Sequence, residues 1–398
     1  MKNTNKVITM ALVTAFSYNV NAQDIKKEEV FKPTIKMEGR IMYDFNFLEA
    51  GDDYKFGGSK FRRLRIAAKG KLSKAISYSA DFDFTAGKIA YRNVNIIYKM
   101  PKNYGKFTFG SFDEPTGLDM LTSSKYMTFI ERAMMTTTQF GKYSTGFRYA
   151  NQKILNGKIG LQLAYTFNGK GSLAYQDNDL YGGNNILGRI TGKVYENKEK
   201  KQLIHIGFNY ENRNDDKNDF KYKSFTTENS MGEKITIASA GKLKNTSDIG
   251  FELAAVIGSF SVQGEFESAT INTDLNTVKS NGYYGYISYF ITGENRTYKN
   301  SIFGRVKPKK NFLKDGGFGA IELVGRYSVM NLNSNKDPND IDNKKYEIAN
   351  ITLGFNWYLN PHTRLMYNYI NGNHYDLAPT IYNGKNLIGH LIRFQVDF

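Results

Sequence analysis

From Lys385 to Phe398 the chain alternates in strict period two and ends on an aromatic ring. Ile388, His390, Ile392, Phe394, Val396 and Phe398 fall on one face, and Gly389, Leu391, Arg393, Gln395 and Asp397 on the other. An apolar outer stripe, a polar inner stripe and a terminal Phe suit the closing strand of an outer-membrane β-barrel, whose lipid side is apolar and whose lumen is wet.

The start of the chain agrees. Met1 to Ala22 has a basic beginning (Lys2, Lys6), a largely apolar run from Val7 to Phe16, and Val20-Asn21-Ala22 as a small-residue cleavage site. The apolar run is too short to span a bilayer, and no later stretch approaches the roughly 20 continuous apolar residues of a transmembrane helix. The expected organisation is a signal peptide at 1–22, a short periplasmic N-terminal segment at 23–34 and an outer-membrane β-barrel at 35–398. The alternative is a soluble secreted protein.

Composition fits a large sheet with many turns: 28 Tyr, 28 Phe and 37 Gly, with only 7 Pro and no Pro- or Ser-rich linker to mark a domain boundary. A mean hydropathy of −0.50 is compatible with a membrane barrel because only alternate residues face lipid. Cysteine is absent, so the chain has neither disulfides nor a thiolate site. The formal charge of +16 becomes +14 without Lys2 and Lys6. That excess can line an anion pore, meet lipopolysaccharide phosphates, or bind nucleic acid. Nucleic acid is the weakest of the three, because the basic residues are scattered rather than clustered.

Alternating segments bounded by Gly, Asn, Asp or Pro number sixteen, which predicts a 16-stranded antiparallel transmembrane β-barrel. An even count closes the sheet, and closure matters because an open edge in hydrocarbon leaves backbone groups unpaired. Short turns interleave with long connections expected at 46–60, 113–142, 168–184, 211–247 and 330–345. In such barrels the short turns are periplasmic and the long loops extracellular. The basic stretch 291–317 breaks the rule: alternation puts it on the periplasmic side, as a missed hairpin or a large inner turn. Inward positions carry both signs, including Arg40, Arg63, Arg65, Arg148, Arg326, Arg364 and Arg393 beside Asp81, Asp83, Glu252, Glu265, Glu267 and Glu322. They can form a cross-strand ion-pair ladder or serve transport.

Segments 61–84 (FRRLRIAAKGKLSKAISYSADFDF), 109–132 (FGSFDEPTGLDMLTSSKYMTFIER), 292–312, 316–328 and 351–370 resemble, in order, the porin O/P family, the phosphate-selective porins. The resemblance implies a trimer of sixteen-stranded barrels, each with its third extracellular loop, here 113–142, folded into the channel. It also implies an anion constriction built on Arg62 and Arg63 of FRRLR and Lys125 of TSSK. Arg65, inward by parity, and Arg132, in the same loop, are the further candidates, and Arg132 is equally placed to pin the loop. Guanidinium and ammonium donors would replace the hydration shell of a passing oxyanion. Where the family commonly reads Lys-Glu-Pro-Phe-Gly this chain has Asp113-Glu114-Pro115-Thr116-Gly117, an anion in place of a cation.

Catalysis is the rival of another class. The four histidines, His205, His362, His374 and His390, are scattered, and no Gly-x-Ser-x-Gly elbow is present. The same scatter argues against a zinc site, so no metal or cofactor is expected, and Asn214 to Asp219 reads as a solvated loop tip. The expectation is a passive diffusion channel of a Gram-negative outer membrane. It would pass small anions, phosphate or related oxyanions, and have homotrimer partners and lipid and lipopolysaccharide surroundings. The alternatives are a general porin and a non-conducting surface barrel.

Overall fold

The computed structural model describes residues 31–51, 54–85, 89–138, 143–168, 183–214, 219–225, 234–275, 277–314, 316–333, 346–375 and 385–398. The expected signal peptide and most of the segment at 23–34 lie outside them, as does the run 215–218.

Sixteen strands form the wall. They are β1 (Thr34–Ala50), β2 (Tyr54–Lys71), β3 (Ile76–Asp83), β4 (Ala90–Lys99), β5 (Lys106–Asp113), β6 (Tyr143–Ile154), β7 (Ile159–Asn168), β8 (Gly183–Asn197), β9 (Gln202–Asn214), β10 (Lys234–Ile257), β11 (Phe260–Thr273), β12 (Thr277–Phe290), β13 (Ala320–Asn333), β14 (Tyr346–Asn360), β15 (Thr363–Tyr375) and β16 (Asn386–Asp397). Each is antiparallel to its neighbours in sequence, and β1 pairs with both β2 and β16, which closes the ring. The seam runs from Arg40 opposite Asp397 to Ala50 opposite Leu387 and is finished by reciprocal backbone bonds between Gly39 and Phe398. No barrel edge is left to meet hydrocarbon.

Period two decides the two faces. Along β16, Leu391, Arg393, Gln395 and Asp397 are buried while Ile392, Phe394 and Phe398 are exposed, as the alternation predicts. The same holds in β2 from Arg63 onward, where Arg63, Arg65 and Ala67 are buried and Ile66 is exposed. The expected ladder is present in part: Arg65 faces Asp83 across β2 and β3 and donates from Nε to Oδ2 at 2.8 Å. Asp81 instead sits opposite Ala67.

Two connections differ from expectation, and a third was open. The 46–60 loop shrinks to 51–53, because β1 and β2 continue as far as Ala50 and Tyr54. The 211–247 loop is largely strand: β9 reaches Asn214, β10 begins at Lys234, and a short strand at Asp219–Phe225 pairs with its upper part. Beyond the bilayer both faces of a strand are wet, so the ladder continues without an apolar stripe. The stretch 291–319 shares a rim with the short turns at 258–259 and 361–362, since Phe290 N bonds Ser259 O and Arg305 donates to Pro361 O. It contains a small hairpin, Tyr298–Lys299 against Ile302–Phe303, so both expected features are present.

β5 is only eight residues long and contains Gly110, whose φ of 114° lies in the region that favours glycine. Gly110 faces Gly146 on β6, and a Cβ on Gly146 would lie 2.2 Å from the Tyr165 carbonyl oxygen. Gly146→Val should therefore lower the unfolding free energy by about 1–3 kcal/mol in a urea titration of the lipid-embedded barrel. Gly285→Ala, whose added methyl meets nothing within 4 Å, should change it by less than about 0.5 kcal/mol.

Candidate functional site

The β1–β2 register shifts between Met42 and Tyr43, so that Met42 pairs with Arg63 and Tyr43 with Phe61. Arg62 is the extra residue of this bulge. Two successive residues on a bulged strand can face the same way, and Arg62 joins Arg63 on Glu131 although simple parity would point it outward. Arg62 grips the carboxylate through two bonds, Nε–Oε1 at 2.7 Å and Nη2–Oε2 at 3.0 Å. Arg63 lies 3.7 Å away, and Arg393 donates from Nη2 at 2.8 Å while holding Asp44 through two further bonds of 2.7 Å.

Three guanidiniums thus share two carboxylates, all buried except Arg62, which is partly exposed. Burial pushes the Glu131 carboxyl up, but Arg62, Arg63 and Arg393 outweigh it and hold the group well below the usual carboxylate range.

Around Glu131 the chain takes partners from inward-facing side chains. Arg364 donates to Met127 O at 2.7 Å, Asn356 to Thr128 O at 2.8 Å and Arg326 to Glu131 O at 3.0 Å, while Asn368 accepts from Ile130 N at 2.9 Å. Earlier in the same connection Glu114 pairs with Arg213 on β9 at 2.6 Å. Glu265 on β11 accepts from the backbone N–H groups of Leu118 and Asp119 at 2.9 and 2.6 Å, at the start of α1 (Leu118–Leu121). Arg132 donates to the carbonyls of Asp119, Met120 and Thr122 at 2.8, 3.2 and 2.6 Å, which pins the connection to itself.

Lys125, Arg65 and Arg132 also border a cavity of about 750 Å³ between β1–β6 and residues 120–126. Eight Lys or Arg line it against three carboxylates, Glu38, Asp81 and Asp113. Lys125 Nζ lies 3.5 Å from Glu38, which Lys69 and Lys36 also approach. Burial, and then the charge of Arg40, lower the Lys125 ammonium against the pull of Glu38 and Asp397. Arg40 donates to Ser124 Oγ at 2.7 Å and Arg148 to Asp113 O at 2.8 Å. Among the described residues neither pairs with a carboxylate.

The opposite wall is acidic. Asp248, Glu252, Glu265 and Glu267 are buried on β10 and β11; Arg189 pairs with Glu252 at 2.6 Å, and His205 Nε2 lies 2.9 Å from the same carboxylate. Among the described residues no group of three or more His, Asp or Glu is placed to hold a metal ion.

Of the five sequence candidates, Arg62 and Arg63 meet at Glu131, Lys125 and Arg65 border the cavity, and Arg132 does both loop pinning and lining. Glu131 is the residue that sequence reasoning missed, since nothing along the chain marks it as the partner of Arg62 and Arg393. Arg40, Arg148 and Arg393 carried a usable signal in their inward parity.

A closed sixteen-stranded barrel with an apolar exterior and a charged interior is an outer-membrane porin. The family described as phosphate-selective porins O and P matches residues 35–398, and the chain belongs to it. It is 26% identical over 382 residues to Porin O of Pseudomonas aeruginosa, covering 85% of this chain and 82% of that protein. Among solved structures, the trimer form of in-vitro folded OmpT from Vibrio cholerae matches with a TM-score of 0.55 at 13% identity, covering 91% of this chain and 99% of that one. OprB of Pseudomonas putida matches with a TM-score of 0.55 at 9% identity, covering 92% and 94%. At these identities the structures speak to the fold alone. Family and fold together place the chain in a Gram-negative outer membrane.

Glu131→Gln should cost about 3–5 kcal/mol, because it leaves buried guanidiniums short of a counter-charge. Glu131 has a depressed folded-state value, so its contribution is complete above the unfolded value of about 4.3 and fades as pH falls below it. Limited proteolysis of the 114–133 connection should therefore stay flat from pH 7 to pH 5 and rise in more acid solution. In Glu131→Gln that acid-dependent rise should be much reduced.

Proposed function

We propose that this chain is a passive channel for small anions, phosphate or a related oxyanion, and carries out no catalysis. The connection after β5, over residues 114–133, folds into the lumen and narrows it. The observation that carries the reading is the cavity with eight cationic and three anionic side chains at that level. Arg40 and Arg148, which pair with no carboxylate among the described residues, and Lys125, which shares Glu38 with two other lysines, are the groups that meet the anion, with Arg65 beside them. Several donors of moderate strength let an anion shed water and still leave. Arg62 and Arg63 act differently: with Arg393 they clamp the connection through Glu131, and Arg132 keeps its shape.

The acidic wall of β10 and β11 supports a second reading, a general porin with weak charge preference. A homotrimer is the proposed assembly, supported by the trimer form of the Vibrio cholerae neighbour. Lipid and lipopolysaccharide are its proposed surroundings.

Reversal potentials across planar bilayers in a KCl gradient separate the readings. The first expects anions to permeate several-fold more readily than cations, with added phosphate reducing chloride current. A permeability ratio near unity favours the general porin, and absence of conductance favours a closed surface barrel. Lys125→Glu and Arg40→Gln should each lower the anion preference, whereas an unchanged ratio in both would remove these residues from the constriction. Because the Lys125 ammonium is lowered from its ordinary value near 10.4, part of the preference should vanish on the alkaline side before free lysine loses its charge.

A further inference from the structure

The connection between β12 and β13 changes sides of the wall. Its first half turns inward: Phe303 packs with Leu203 and Ala254, and Val306 packs with Phe290 and Tyr358. Its second half lies outside. Phe312 stacks edge-on against the outward Trp357 at 4.9 Å, its backbone N–H bonds Leu359 O at 2.7 Å, and Trp357 Nε1 donates to Phe318 O at 2.7 Å. This knuckle exposes Leu313 at 82% and Phe318 at 75% beside the exposed Lys310 and Lys314. From Lys307 to Lys314 the sequence has four lysines, against one carboxylate, Asp315, that follows them. Apolar rings, a tryptophan and flanking lysines are the composition of a membrane–water boundary.

Above the knuckle the outer wall is hollow. Gly264 on β11 faces Gly285 on β12, and Gly325 on β13 faces Ile287, two residues along, so three adjacent strands lack outward side chains at neighbouring positions. The result is a groove of about 700 Å³ walled by Leu253, Ile287 and Leu353, each more than half exposed. Leu353 lies four residues along β14 from Trp357, roughly 13 Å at strand rise. That places the groove within one half of a hydrocarbon core about 30 Å thick.

We propose that knuckle and groove together bind one anionic phospholipid of the periplasmic leaflet, its phosphate on Lys310 and Lys314 and one acyl chain along the glycine floor. The proposal rests on the reading that the rim with the short turns faces the periplasm. Charge selects the headgroup. The unbroken apolar face from Phe318 through Ile321 and Leu323 to Gly325 joins headgroup level to the groove.

Trp357 is the chain's single tryptophan, so its fluorescence reads this site. The purified barrel is reconstituted in phosphatidylcholine vesicles with mid-chain brominated phosphatidylglycerol or brominated phosphatidylcholine. Brominated phosphatidylglycerol should quench with an apparent preference on the order of fivefold. Lys310→Gln with Lys314→Gln should bring that ratio close to one while quenching by phosphatidylcholine persists. Gly285→Leu with Gly325→Leu should keep the headgroup preference and weaken quenching by both lipids. A ratio near one in the native chain, or a preference that survives loss of both lysines, overturns the proposal. Conductance measured on the same preparations tests the channel reading separately, because neither lysine belongs to the lumen cavity.

Discussion

Everything in this molecule follows from the need to pair every backbone donor and acceptor that lies in hydrocarbon. A single unpaired edge would leave several groups unsatisfied at several kcal/mol each. The β1–β16 seam removes that edge, and the Gly39–Phe398 bonds carry the pairing to the end of the ladder. Once the ring is closed, inside and outside are set for every residue by period two. The apolar residues of β16 then have one destination, and so do its arginine and aspartate.

Closure also sets the electrostatics. A ring of inward polar side chains faces itself across a narrow space, and like charges there can persist only with counter-charges near. Glu131 and Asp44 supply them for Arg62, Arg63 and Arg393. Arginines that look alike in sequence therefore differ in their partners: Arg62, Arg63 and Arg393 fasten a connection through carboxylates, whereas Arg40 and Arg148 border the cavity and pair with no carboxylate among the described residues. The carboxylates of β10 and β11 stand on the far side, so charge is segregated across the ring.

The long basic connection at 291–319 obeys the same logic from outside the ladder. Where it turns inward, its polar groups are met by the wall: Ser301 bonds Thr191 and Gln152, and Tyr298 bonds His205. Where it turns outward it shows rings and lysines. One connection therefore matches two different environments on the two sides of one wall.

The sequence by itself determined the class of fold, the strand count, the face of most strand residues and the family, because each is written in a local period or a contiguous block. Arg393 and Asp397 were legible as inward groups from the closing strand alone. Strand ends in the wet zone were not, since β2 and β10 continue where no apolar stripe marks them. Only the tertiary structure decided the roles within the site. A bulge turned Arg62 toward Glu131 against parity, and contacts between residues 262 positions apart, Arg393 and Glu131, made a clamp from groups that have no relation along the chain. The pairing of buried charges is a property of the closed ring, and no local pattern encodes which side chain will stand across it.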